Sequence, residues 1–177
     1  LNPPKKVKDK KGGFIHWDVD TSLQPPPIGV QGILSLLPQN GDVGGFRCVP
    51  ELFEHFDEWE KGQPADRDPQ HPDLTGLEVV NIELEPGDLL IFNSLLAHGV
   101  RPNHSEDRFR AAQYISMYPA NESDTAERDE RVRLWRELDH PKRDAFPGDP
   151  REWEKHNAET ANLTPLGKKL LGLEIWN

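Results

Sequence analysis

Seventeen prolines are spread through the 177-residue chain, and they set the first limit on its architecture. Proline fixes φ and carries no backbone N–H, so it interrupts helices and gathers at strand ends and turns. The run Pro25-Pro26-Pro27 forces an extended segment. Between the prolines the apolar residues fall into three clusters, Ile28–Leu37, Leu74–Leu96 and Ala111–Tyr118. That distribution predicts a strand-and-loop body, not a helical bundle. None of the clusters is a continuous apolar run of the roughly 18 residues needed to span a bilayer. No stretch has the charged start and apolar centre of a signal peptide. The length suits one domain.

Along the chain, residues 1–13 read as a solvated, basic lead-in with Lys5, Lys6, Lys8, Lys10 and Lys11. Strands are predicted at 14–19, 28–37, 45–49, 77–84, 88–92, 95–100 and 109–118. Pro38-Gln39-Asn40-Gly41 is a turn signal, and 44–49 reads as the strand returning from it. Leu52, Phe53, Phe56 and Trp59 recur at helical spacing, so one helix is predicted from Pro50 to about Lys61. The proline-rich stretch 62–73 is a loop. After Pro119 the pattern becomes helical: 124–138 with Ser123 or Asp124 as cap, then 152–161 and 165–171. Strands first and helices afterwards predict a mainly antiparallel β core, about 14–119, with a helical C-terminal cover, about 120–177, in a single domain.

The balance of 21 Lys+Arg against 31 Asp+Glu gives a net charge of −10. This argues against a general nucleic-acid binder, which needs a basic face. The lone Cys48 rules out an internal disulfide framework and a multi-cysteine zinc site. The cytoplasm is the expected compartment.

Three features carry chemistry. In His16-Trp17-Asp18 the imidazole and the carboxylate are two apart, which on a strand puts them on one side. Alone, such a pair is commonly an inert strand end. His98 closes the apolar stretch 87–97, where a lone histidine is more often bonded to a backbone carbonyl than to a metal. His104 is a weaker candidate because it sits in the polar turn Pro102-Asn103-His104-Ser105. Arg110 opens the strand that follows. A buried guanidinium needs an anionic partner, and its fork suits a carboxylate. Arg108 shares the parity of Arg110, and Arg101 is a third option. Arg110 is preferred because it lies nearest the apolar run. Two histidines and one carboxylate make the donor set typical of non-haem Fe(II) oxygenases, with three positions left open.

With these residues in place, the chain resembles the phytanoyl-CoA dioxygenase family of Fe(II)- and 2-oxoglutarate-dependent oxygenases. The resemblance runs from His16 to about Trp176. It takes in His16-Trp17-Asp18, the segment Asn40–Val49 ending in Pro50, Pro86-Gly87-Asp88, His98-Gly99 with Asn103, Arg110, and the tail Leu163-Thr164-Pro165-Leu166-Gly167 with Gly172 and Trp176. It implies a double-stranded β-helix, the cupin-like jelly roll. It implies that His16, Asp18 and His98 bind Fe(II) and that Arg110 holds the distal carboxylate of 2-oxoglutarate. Ser105 or Gln31 would add a hydrogen bond to that co-substrate. Dioxygen and a small organic molecule would be the other reactants, and hydroxylation with release of succinate and CO2 the outcome. No nucleic-acid or membrane partner is implied. Two departures stand out. Arg110 is one residue further from the second histidine than the family commonly shows. Only 15 residues precede His16, where the family carries helices and an early strand, and a jelly roll needs about eight strands. The chain is therefore expected to be the C-terminal part of a longer oxygenase or a truncated reading frame. The competing readings are a cupin-like metal enzyme that uses no 2-oxoglutarate and an inactive ligand-binding fragment.

Overall fold

The computed structural model of the protein describes residues 1–5, 7, 13–117, 119–141 and 149–176. Two compact units divide the chain, Leu1–Pro119 and Ala120–Asn177.

The first unit holds two three-stranded antiparallel sheets. One has β1 (Val30–Ser35) at its centre, flanked by β4 (Leu89–Asn93) and β6 (Ala112–Met117). The other has β2 (Gly45–Cys48) between β3 (Val80–Asn81) and β5 (His98–Arg101). In β1 the side chains of Ile33 and Ser35 are buried while Val30 faces outward, the alternation a half-buried strand requires. This mainly β arrangement with a few helices is consistent with a cupin-like fold.

Two apolar clusters form the core. Ile15, Trp17, Val49, Leu52, Phe56 and Ala97 make one, and Ile33, Phe46, Cys48, Leu84 and Phe92 the other. Strand-like alternation sorts the chain between them. Ile15 and Trp17 enter the first cluster, so the intervening His16 faces elsewhere. Ala97 enters the first cluster too, and the next residue, His98, stacks on Phe46 and meets Phe92 of the second. Trp17 is wholly buried, edge-on to Phe56 and Trp59, with its indole N–H donating to the Leu95 carbonyl at 2.8 Å. Burying side chains of this size contributes about 1.5–3 kcal/mol each. The packing of 15, 17 and 97 therefore fixes where 16 and 98 point.

Several local expectations change. Residues 14–19 form no strand. They touch the sheet through a single antiparallel bridge, His16 to His98. Beyond it, the Trp17 N–H bonds to Gln70 and the Thr21 N–H to Pro69, so the 62–73 loop takes over the pairing. Asn40-Gly41 does not close a hairpin. A short 3-10 turn, Gly41–Val43, passes the chain from the first sheet to the second, and β1 and β2 never pair. The helix expected over 50–61 is two, α1 (Pro50–Glu54) and α2 (Phe56–Lys61), broken at His55 with ψ of 27°. The strand expected over 77–84 shrinks to β3, with Leu84 joined separately to Gln39. The first residues are not a free lead-in: Asn2 is buried and bridged to Arg110, and Lys5 N–H bonds to the Ser105 carbonyl. Lys6, Lys8, Lys10, Lys11 and Tyr118 lie outside the described residues.

The second unit contains α3 (Thr125–Glu137), α4 (Trp153–Asn157) and α5 (Pro165–Leu171). The Asp124 carboxylate caps α3 by accepting from the Glu127 N–H, and Leu138 ends it in the left-handed region. Thr164 caps α5, and Gly172 closes it at φ of 100°. Arg133 joins Glu130, Glu137 and Asp139 on one side of α3. No described helix is long and apolar enough to cross a membrane.

Candidate metal centre and anion pocket

His16 and His98 face each other across their bridge. Each N–H donates to the other's carbonyl, at 2.8 and 2.9 Å. Such a close pairing leaves no room for a side chain at position 99: a Cβ there would stand 2.2 Å from the Phe14 carbonyl oxygen. Gly99 is thus the residue that lets the two histidine-bearing segments meet. The imidazole centroids are 4.9 Å apart.

Asp18 completes the cluster. Its Oδ1 lies 3.2 Å from His16 Nε2, and its Oδ2 lies 3.6 Å from His98 Nε2. One donor atom from each of the three residues falls within 4.8 Å of the others. Two metal bonds of about 2.0–2.2 Å span at most about 4.4 Å, so a shift of about a few tenths of an ångström would bring the three onto one divalent ion. His98 Nδ1 lies 2.9 Å from the Leu96 carbonyl, which can only accept, so Nδ1 carries the hydrogen and Nε2 keeps a free lone pair. His16 Nδ1 is buried without a partner among the described residues.

The electrostatics follow the same division. The hydrogen bond from His16, aided by one from Gln31, lowers the Asp18 carboxyl to about 2. That bond to Asp18 raises His16 above the ordinary imidazole value, whereas burial lowers His98. The carboxylate is therefore ionised and the deeper histidine favours its neutral form, the state in which imidazole ligates.

The second feature is a cavity of about 250 Å³ lined by Asn2, Gly13, Val100, Arg101, Arg110 and Tyr114, among others. Arg110 is only 3% exposed. Its Nε donates to Gln39 Oε1 at 2.6 Å and its Nη1 to the Tyr114 hydroxyl at 3.0 Å, while Nη2 is buried with no partner among the described residues. No carboxylate pairs with it among the described residues. A buried cation held only by neutral groups is strained electrostatically, and an anion entering the cavity relieves that strain.

Arg108 is half exposed and paired with Asp42, a surface ion pair. Its parity with Arg110 therefore carries no shared role. Arg101 turns to the Gly41 and Gly44 carbonyls. His104 is exposed. Ser105 is buried, but its hydroxyl lies against Asn103 Oδ1 and the Arg108 carbonyl, so it braces the loop before Arg110 and does not line the cavity. Gln31 donates through Nε2 to Asp18 Oδ2, placing it at the His16, Asp18, His98 cluster and not at the Arg110 cavity; its Oε1 is buried without a partner among the described residues. Gln39 and Tyr114, which hold Arg110, were not anticipated. Tyr114 had a signal, since it stands four residues beyond Arg110 with the same strand parity. Gln39 is 71 residues away from Arg110 and gave none.

Two imidazoles and one carboxylate on a β framework make a two-histidine, one-carboxylate site, the donor set associated with non-haem iron. Residues 9–112 match the phytanoyl-CoA dioxygenase (PhyH) family profile. The chain belongs to that family. Among solved structures, the crystal structure of EvdMO1 is similar at a TM-score of 0.45 and 22% identity over 67% of this chain. The match covers 25% of that protein, so the chain spans about a quarter of its length. No curated protein matches the sequence.

Proposed function

We propose that this chain carries the centre of a non-haem Fe(II)- and 2-oxoglutarate-dependent dioxygenase that hydroxylates a small organic substrate. The observation that carries this reading is the buried, unmatched guanidinium of Arg110 in the same unit as the His16, Asp18 and His98 donor set. A metal protein that uses no diacid has no need of such an anchor. The two sheets are read here as the halves of a jelly roll.

In this reading His98 offers a free Nε2, His16 would offer its Nε2 on giving up the hydrogen it directs at Asp18, and Asp18 offers the negative charge that a dicationic metal requires. When bound, iron supplies the redox chemistry that couples dioxygen and the decarboxylation of 2-oxoglutarate to substrate hydroxylation. The chain does the positioning. Arg110 receives the distal carboxylate through its free Nη2, and Gln39 and Tyr114 keep the guanidinium plane from turning. The Leu96 carbonyl fixes the His98 tautomer. The apolar wall of Phe46 and Phe92 excludes water from one side of His98.

The test is anaerobic titration of the protein with Fe(II) and 2-oxoglutarate. A visible metal-to-ligand charge-transfer band is expected, followed by succinate formation when dioxygen is admitted. Iron binding without such a band and without succinate would replace this reading with a cupin-like metal protein that does not use 2-oxoglutarate.

A further inference from the structure

We infer that Gln31 is a positioning residue that restricts Asp18 to ligation through a single oxygen. The inference rests on the metal-site reading above. An ionised carboxylate only accepts hydrogen bonds, so the amide nitrogen of Gln31 must be the end turned toward it. That N–H₂ meets Oδ2, which also lies 3.6 Å from His98 Nε2, while Oδ1 lies 3.2 Å from His16 Nε2, so both oxygens face the histidines and only Oδ2 has a lone pair engaged by Gln31. Gln31 sits on the central strand β1, paired in register with Phe92 of β4 on one side and Ser116 of β6 on the other. Its backbone is thus held from both directions, so the amide reaches Asp18 from a fixed point on the sheet.

Stoichiometry explains why the restraint matters. A six-coordinate metal with three single-atom protein ligands keeps three open positions. A chelating diacid occupies two of them and leaves one for dioxygen. If both Asp18 oxygens bound the metal, that last position would close. With a lone pair of Oδ2 engaged by Gln31, Asp18 would favour ligation through Oδ1 alone, which would keep that position open. Partners of metal ligands typically alter metal affinity about 10–100-fold when removed.

The experiment uses Co(II) as the probe, titrated into metal-free wild type, Gln31→Leu and Gln31→Met, with affinity and visible d–d absorption read together. Thermal melts of the metal-free forms check the fold. Gln31→Leu and Gln31→Met are expected to melt near wild type, to bind Co(II) at least tenfold more weakly, and to show a d–d band of altered intensity because the carboxylate geometry has changed. Variants that bind Co(II) with wild-type affinity and spectrum overturn the inference while leaving the metal site intact. Weaker binding with an unchanged spectrum also overturns it, since Gln31 would then act on stability alone. Absence of Co(II) binding by wild type overturns both the inference and the site beneath it.

Discussion

The candidate metal cluster and the Arg110 pocket share a backbone device, an isolated antiparallel bridge, and differ in how the working head group is then held. Two of the three proposed metal ligands are placed by main chain: a reciprocal pair of backbone hydrogen bonds sets His16 against His98, and a glycine lets the segments approach. The backbone of Arg110, the proposed anion anchor, has the same reciprocal bridge, to Asn2, but its guanidinium is additionally gripped by the side chains of Gln39 and Tyr114. Main-chain placement tolerates changes in neighbouring side chains but fails abruptly when the backbone shifts. Side-chain placement degrades in steps, one hydrogen bond at a time. The contrast suits the duties proposed for the two regions, since a metal needs fixed geometry and an exchanging diacid needs a receptor that can fill and empty.

The largest effect expected from breaking this contrast is at Gly99. In Gly99→Ala the new Cβ meets backbone, which has no rotamer to yield, and overpacking of this kind costs about 1–3 kcal/mol. A lower melting temperature and loss of measurable Co(II) binding are expected together in calorimetric titration. Retained metal affinity would show that the bridge is not what places the histidines. Next comes Arg110→Ala. Removing a charged partner costs on the order of 2–5 kcal/mol, which corresponds to about a hundredfold or more in the dissociation constant of 2-oxoglutarate. Metal affinity should not change, and a parallel loss of both would merge the two regions into one.

Gln39→Leu sharpens the contrast by removing one grip. A hydrogen bond to a charged group is worth about 1.5–3 kcal/mol, which bounds the effect at about a hundredfold; because Arg110 itself remains, 2-oxoglutarate binding should weaken by about tenfold, the low end, read by the charge-transfer band. Smallest is Arg108→Ala. An exposed ion pair contributes about 0–1 kcal/mol, so stability should hold to within that range and 2-oxoglutarate affinity should stay within about twofold. If Arg108→Ala and Arg110→Ala exchange their effects, Arg108 is the anchor.

The same contrast explains what could be read from sequence. His16 and Asp18 were legible because their spacing is local, and His98 because it ends an apolar run. The strand around His16 was overread: alternation persists there, but only one residue bridges the sheet while its neighbours bond to the 62–73 loop. Asn40-Gly41 signalled a turn correctly, yet a local signal does not say to which sheet the chain goes next. The roles of Gln31 and Ser105 came out differently from expectation because each depends on a partner chosen in three dimensions. Gln31 met a carboxylate 13 residues away, and Ser105 turned to the side chain two residues before it. Arg110 was preferred over Arg108 by its nearness to the apolar run, and burial separates the two in the same direction.

The lone bridge between His16 and His98 also bears on how the chain closes on itself. It joins residues 82 positions apart in sequence with only two hydrogen bonds. Closing a loop of that length carries an entropic cost that grows logarithmically with the number of residues enclosed. An ion held by His16, Asp18 and His98 ties the same loop shut, so it acts as a reversible cross-link. At a free metal concentration of a hundred times the dissociation constant, such a ligand stabilises the folded state by about 2.7 kcal/mol. If the proposed site binds its ion, the folded population would thereby be coupled to metal supply: withdrawing the ion would loosen the first segment of the chain from the sheet, and restoring it would draw the loop closed again.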